Sequence, residues 1–196
     1  MSSRLSKPAF ALFLALLAAI ALGACGNADT RVTTGTYAGE SGQNAPYLNV
    51  GPLIYEVQLS RELNPANIED SSYLQGLTPA QRTLLPGQEW FAVFIQVYNH
   101  KSVPLPGATN LTISDTQENV YYPILPGPSN LFAYRGGLIP AKSMVPVPGS
   151  VAYTGNTQGA LVLFKIKVLS LDNRPLELHI VDPTNPTQTA SAELDV

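Results

Sequence analysis

One cysteine, two histidines and a scatter of acids are the side chains in this 196-residue chain with which covalent, metal or acid–base chemistry could be done. Cys25 is the best soft nucleophile among them. Standing alone, it can form no intrachain disulfide, and no cysteine cluster exists to hold zinc. His100 and His179 have neither HxH nor HExxH spacing, so a copper or zinc site using both, with Met144, has no motif behind it. The acids occur as Glu69-Asp70, Asp115 with Glu118, and Asp172. A pair such as Asp115 and Glu118 is what glycoside hydrolysis or a loop calcium site would use, but EF-hand spacing is absent and acids in turns mostly serve the turn. Ser143 is in no GxSxG elbow, and Ser150 has only Gly149 before it. Arg135-Gly136-Gly137 lacks the glycine spacing of a phosphate loop, and Asn110-Leu111-Thr112 is a glycosylation triplet in form only. No catalytic, cofactor-binding or metal-binding set emerges, and no cofactor is expected.

The elements around Cys25 give its thiol a setting. Arg4 and Lys7 form a short cationic start, Ala9 to Ala24 is uncharged and largely apolar, and Leu22-Gly23-Ala24 places small residues before the thiol. A cationic start, an apolar helix and small residues at a cut are what an export signal needs. The run is shorter than the ~20 apolar residues of a spanning helix. Leu22-Gly23-Ala24-Cys25 resembles the lipobox of bacterial lipoproteins. That resemblance implies removal of residues 1–24, a diacylglycerol on Cys25 and acylation, such as palmitate, of the new amino terminus. Two acyl chains give stable anchoring where one gives only marginal binding.

The whole chain carries a formal charge of −3, and loss of Arg4 and Lys7 with the leader makes the remainder about −5. Attraction to nucleic acid is therefore not expected. Charged residues are only 13%, while 15 glycines, 17 prolines and nine tyrosines favour short strands joined by ordered turns over long helices. Residues 25–46 hold few large apolar side chains and are expected to form a flexible tether behind the lipidated cysteine.

From residue 47 a folded domain is expected. Leu53, Tyr55, Val57 and Leu59 alternate with Ile54, Glu56, Gln58 and Ser60, which predicts a strand with those four residues in the core. Ala66 to Gly76 could form one short helix, and Leu77 to Gln88 reads as connection. Glu89 to Tyr98 is the strongest apolar run, with Phe91, Val93, Ile95 and Val97 on one face and Trp90, Ala92, Phe94, Gln96 and Tyr98 on the other. Such a run marks a central strand covered at least in part on both sides. An aromatic ligand platform of Trp90 and Tyr98 is the less favoured reading of the same residues. Leu111 to Leu125 predicts a hairpin broken by Pro123, Met144 to Gly149 suits an edge, and Ala160 to Leu169 and Leu176 to Ile180 are further strands. Residues 183–196 read as a polar, proline-bearing tail.

Gln88-Glu89-Trp90-Phe91-Ala92-Val93-Phe94 running to Val97-Tyr98-Asn99, the Leu138-Ile139-Pro140-Ala141 turn, and Gly159 to Phe164 followed by Leu176-Glu177-Leu178 resemble the immunoglobulin-like extracellular domain of the DUF4352 type. The resemblance runs from about residue 53 to 181, most of the chain behind the leader, and implies location and fold; its motifs transfer no catalytic residue. Asn64 to Pro86 is longer than a plain hairpin connection, and the prolines of Met144 to Gly149 interrupt the usual run. The expectation is an all-β protein: an immunoglobulin-like β-sandwich of about seven strands over 47–182, lipid-anchored through Cys25 to the bacterial cell membrane and facing outside the cytoplasm. Its expected role is binding or structural rather than enzymatic, with an envelope protein or wall polymer as partner. The alternatives are an envelope glycan hydrolase using loop carboxylates such as Asp115 and Glu118, and a passive envelope spacer.

Overall fold

Alternation of apolar and polar residues sends one side of a strand into a core and the other towards water. The computed structural model describes residues 31–36 and 47–194. Its strands are β1 (Arg31–Thr36), β2 (Tyr47–Val50), β3 (Leu53–Leu63), β4 (Gln88–Asn99), β5 (Leu105–Gly107), β6 (Asn110–Ser114), β7 (Val120–Tyr121), β8 (Gly137–Ile139), β9 (Ser143–Val145), β10 (Ala160–Lys167), β11 (Leu176–Val181) and β12 (Thr189–Leu194). One sheet runs β1-β12-β11-β6-β7. The second runs β10-β4-β3-β2, and β9 extends it by pairing with β4 over Val97 to Asn99, beyond the reach of β10. A two-stranded ladder joins β5 to β8. This is an immunoglobulin-like β-sandwich. It has twelve strands among the described residues, several of them two to four residues long, where about seven were expected.

The main core lies between the sheets. Phe91, Val93, Ile95 and Val97 of β4, Val162, Phe164 and Ile166 of β10, and Leu176, Leu178 and Ile180 of β11 are buried there. Between β2 and β3 the chain reverses in two residues. Gly51 takes φ +56° at the first central position and Pro52 the second, the pattern of a type II′ turn. A Cβ on Gly51 would also fall 1.4 Å from the Asp182 carboxylate.

Two boundaries differ from expectation. The C-terminal segment read as a tail supplies β12, which lies between β11 and β1. Ala190, Ala192 and Leu194 face Ile180, Leu178 and Leu176 across the ladder and are buried. Alanines give a weak hydrophobic signal in sequence, yet they fit a close-packed inter-sheet space well. Within the segment read as a tether, Arg31–Thr36 forms β1, parallel to β12; Val32, Thr33 and Thr34 are β-branched, which suits a strand. The rest of residues 1–46, including the leader and Cys25, and residues 195–196 lie outside the described residues.

The second sheet carries another core on its outer side. Leu63, Trp90, Ala92, Phe94, Leu161 and Leu163 are covered by Tyr73, Leu74 and Leu77 from the segment between β3 and β4. That segment holds helix α1 (Ile68–Tyr73) and helical turn α2 (Pro79–Arg82), so its length serves as a lid on the sheet. Asn67 caps α1 by accepting from the backbone of Glu69 and Asp70, and Thr78 and Gln81 form a capping box on α2. A buried Asn130 fastens the 126–134 loop to this cover, donating to the carbonyls of Tyr73 (2.8 Å) and Gln75 (3.0 Å).

A β-bulge sets which end of β3 faces which core. Val57 pairs with Ile95, but Leu59 pairs with Phe94, so one extra residue is accommodated at Gln58. Alternation reverses there. Tyr55 and Val57 point between the sheets, whereas Leu59, expected beside them, packs with Leu63 on the outer side.

Candidate functional site

Of the carboxylates singled out by sequence, Asp115, Asp70 and Glu69 are engaged in structural hydrogen bonds, while Glu118 and Asp172 are exposed. Asp115 is buried and accepts from the backbone of Gln117 and Asn119, from the Asn119 side chain and from Ser170 Oγ at 2.6 Å. Burial opposes its charge, but the bonds from Ser170 and Asn119 prevail and hold the carboxyl at about 2. Glu118 is exposed at φ 61°; its backbone N–H donates to the Asp115 carbonyl at 3.1 Å, and it is not among the donors to the Asp115 carboxylate. Asp70 is held below its ordinary value; burial acts against the charge, and the bonds from Arg61 (2.5 Å) and the Asn64 backbone outweigh it. Glu69 accepts from Tyr73 Oη at 3.0 Å, again a bond within the cover.

Ser114 on β6 and His179 on β11 share the outer side of the first sheet, Oγ to Nε2 2.8 Å. Glu177 approaches the same nitrogen at 3.7 Å. A nucleophile–base–carboxylate relay needs the acid on the other ring nitrogen, so this trio lacks the geometry of a triad. Ser150 precedes the short helix α3 (Val151–Thr154), and its buried Oγ has no hydrogen-bond partner among the described residues. Arg135 donates to the carbonyls of Pro126, Gly127 and Asn130, which commits it to a loop. Asp172 is exposed after a 3₁₀ turn, and Asn110 opens β6. Among the described residues no three His, Cys, Asp or Glu side chains gather as metal ligands. His100 and His179 lie apart, the first just past β4 and the second on β11 in the other sheet.

The two aromatics paired in sequence reasoning are separated. Trp90 is 3% exposed beneath the Lys165 ammonium, which lies 5.1 Å from its ring. Tyr98 lies at the opposite end of β4, past the helical cover, and the cross-strand register builds a surface around it. Met144 (β9), Tyr98 (β4), Ile54 (β3) and Asn49 (β2) form one row, and Gln96, Glu56 and Tyr47 form the next. The Tyr47 ring stands edge-on to Tyr98 at 6.4 Å, and the His100 imidazole lies parallel to Tyr98 at 5.9 Å. Two adjoining depressions share Tyr98 and His100. One, of about 300 Å³, is completed by Lys142, Ser143, Met144 and Pro148, and the other, of about 340 Å³, by Tyr47 and Ile54.

Beneath the rings lies a buried polar pair. Tyr98 Oη is 2.7 Å from Glu56 Oε2 and 2.6 Å from the Gln96 side-chain amide. One hydroxyl proton cannot serve two acceptors; with it on Glu56, the Gln96 amide must turn its NH₂ towards Oη. Burial first, then the bond to Glu56, raises the Tyr98 hydroxyl well above the ordinary tyrosine range, so it stays protonated. Lys142 donates to the His100 carbonyl at 2.6 Å, and buried Asn99 donates to the carbonyls of Val103, Ile139 and Pro140, which fixes the loops on either side. The arrangement offers flat aromatic surface with a few fixed polar atoms, which is the chemistry of recognition. Tyr47 escaped the sequence reading as a site residue. The alternation of Tyr47 and Asn49 with buried Leu48 and Val50 is the signal that could have found it.

No family model matches the chain, and no curated protein matches it. Solved structures similar to it include YcdA of Bacillus subtilis, to which a lipoprotein character is ascribed (TM-score 0.46, 9% identity, 79% of this chain and 39% of that one). They also include YjhA of Bacillus subtilis (0.49, 9%, 76% and 97%) and an uncharacterised β-sandwich protein of Clostridium difficile (0.45, 9%, 87% and 99%). The chain thus spans well under half the length of YcdA. The resemblance to the DUF4352 type comes down to the β-sandwich itself. No helix among the described residues is long and apolar enough to cross a membrane.

Proposed function

We propose that this protein is a binding component of the bacterial cell envelope, held outside the cytoplasm by lipid on Cys25, and that the groove around Tyr98 is its recognition surface. The observation that carries the reading is the Tyr47–Tyr98–His100 assembly. The outer face of the second sheet is covered at the Trp90–Phe94 end and left open at the Tyr98 end, where aromatic side chains stand in place of a lid. Aromatic residues held by packing and flanked by placed polar groups are what binding surfaces use as anchors. A catalytic reading gains no support from Asp115, whose two oxygens are taken up by its own turn and by Ser170. The leader and the lipobox resemblance support the location.

Photo-crosslinking in intact cells tests this. A benzophenone side chain at position 47 of the anchored protein is expected to yield a defined adduct, and the same group at exposed Leu131 is not. No adduct at 47, or equal yields at both positions, would remove the groove as the recognition surface.

A further inference from the structure

Resting on that reading of the groove, we infer that its ligand is a neutral sugar chain, engaged through the apolar faces of its rings, as in an envelope glycan. Charge comes first. Among the described residues, Lys142 is the one Lys, Arg, Asp or Glu side chain lining the two depressions, and its ammonium is already on the His100 carbonyl. The nearby Glu56 is 4% exposed and lies under the Tyr98 hydroxyl. Among the described residues an anionic ligand meets a single engaged cation and a cationic one meets no accessible carboxylate, which favours a neutral ligand. Shape comes second. The two depressions adjoin along Tyr98 and His100, so the surface is elongated and open, as a chain of linked rings requires and a single enclosed metabolite does not.

Hydrogen bonding separates a glycan from the other neutral chain that docks on aromatic surfaces, a proline-rich peptide. Peptide carbonyls between prolines only accept, whereas sugar hydroxyls both donate and accept. Ser143 and the His100 ring, on the rim, can do both. The indole that could offer a donor-only edge, Trp90, is buried under the helical cover. The Tyr47 ring, 45% exposed, and the Tyr98 ring supply the apolar contact.

The test uses the full acylated chain in a detergent without a sugar headgroup, pelleted with protease-treated bacterial cell-wall sacculi. Wild type is expected to co-sediment and to be displaced by soluble chitotetraose. Tyr47→Ala with His100→Ala, both at exposed positions, is expected to weaken retention by about tenfold or more while the melting temperature holds. Groove-dependent retention on untreated envelopes that disappears after protease, or displacement by a proline-rich peptide and not by the sugar, would overturn the glycan while leaving the groove as the recognition surface. Retention unchanged by the double substitution, together with no adduct at position 47, would overturn both.

Discussion

Tyr98 has two duties, because the ring that lines the groove also carries the hydroxyl that satisfies Glu56 beneath it. Removing that hydroxyl strands a buried carboxylate and a buried amide, at a cost of ~1–3 kcal/mol. Tyr98→Phe is therefore expected to lower stability by about that amount in chemical denaturation, whereas Tyr47→Ala, at an exposed edge, should change it by less than ~1 kcal/mol. Asp115 makes a pH-dependent contribution of calculable sign. Its folded value of about 2 lies below the ordinary 3.8, so the stabilisation is fully present above about pH 4 and is lost as pH falls through about 2. The difference amounts to ~2 kcal/mol. Denaturation at pH 5 and pH 2.5 is expected to show the gap between wild type and Asp115→Asn narrowing in acid; a gap constant across that range would refute the assignment. Neither role was visible in sequence. Asp115 could be seen to sit in a turn, but not that Ser170, 55 positions away, would occupy it.

Among the elements, the strands that alternate cleanly were legible: both faces of β4, the existence of β10 and β11, and the β6–β7 hairpin all follow from period-two patterning. Three features escaped. The bulge at Gln58 leaves no local mark, since reversing the parity of Leu59 becomes favourable only once a second core exists outside the sheet. Helix α1 falls inside the Ala66 to Gly76 segment expected to hold one short helix, but the helical turn α2 lies in Leu77 to Gln88, which reads as connection. The third is β12, made chiefly of small residues. One substitution and one truncation separate these contributions. Phe94→Ala, which empties a fully buried site beside Tyr73 (ring centroids 5.0 Å apart), is expected to cost ~3–5 kcal/mol in a thermal or urea melt. Truncation after Val181 removes the strand that covers one edge of β11 and should abolish cooperative unfolding by circular dichroism; a disordered tail could be cut away without effect.

For the molecule as a whole, the most specific sequence and the most specific surface lie at different places, Cys25 and the groove. The first is proposed from sequence alone, because a lipid-attachment signal is local and linear. The second was not, because Tyr47, Glu56, Tyr98 and Met144 come from four strands and meet only through register. Cys25→Ala is expected to release or mislocalise the protein, measured by fractionation of cells. Mass spectrometry of the wild type should find diacylglycerol on Cys25, and an unmodified thiol would remove the anchor from the proposal.

The partial lid on the second sheet has an evolutionary consequence. The segment from Asn64 to Gly87 leaves the sandwich at the end of β3 and returns at the start of β4; it gives Tyr73, Leu74 and Leu77 to the outer core and no residue to the core between the sheets. A longer insert would advance over Tyr98 and narrow the groove; a shorter one would uncover Phe94 and lengthen it. On the proposed reading of the groove, insertions in this one connection would retune the surface while leaving the core between the sheets untouched, whereas deletions would also cost the outer core its Tyr73, Leu74 and Leu77.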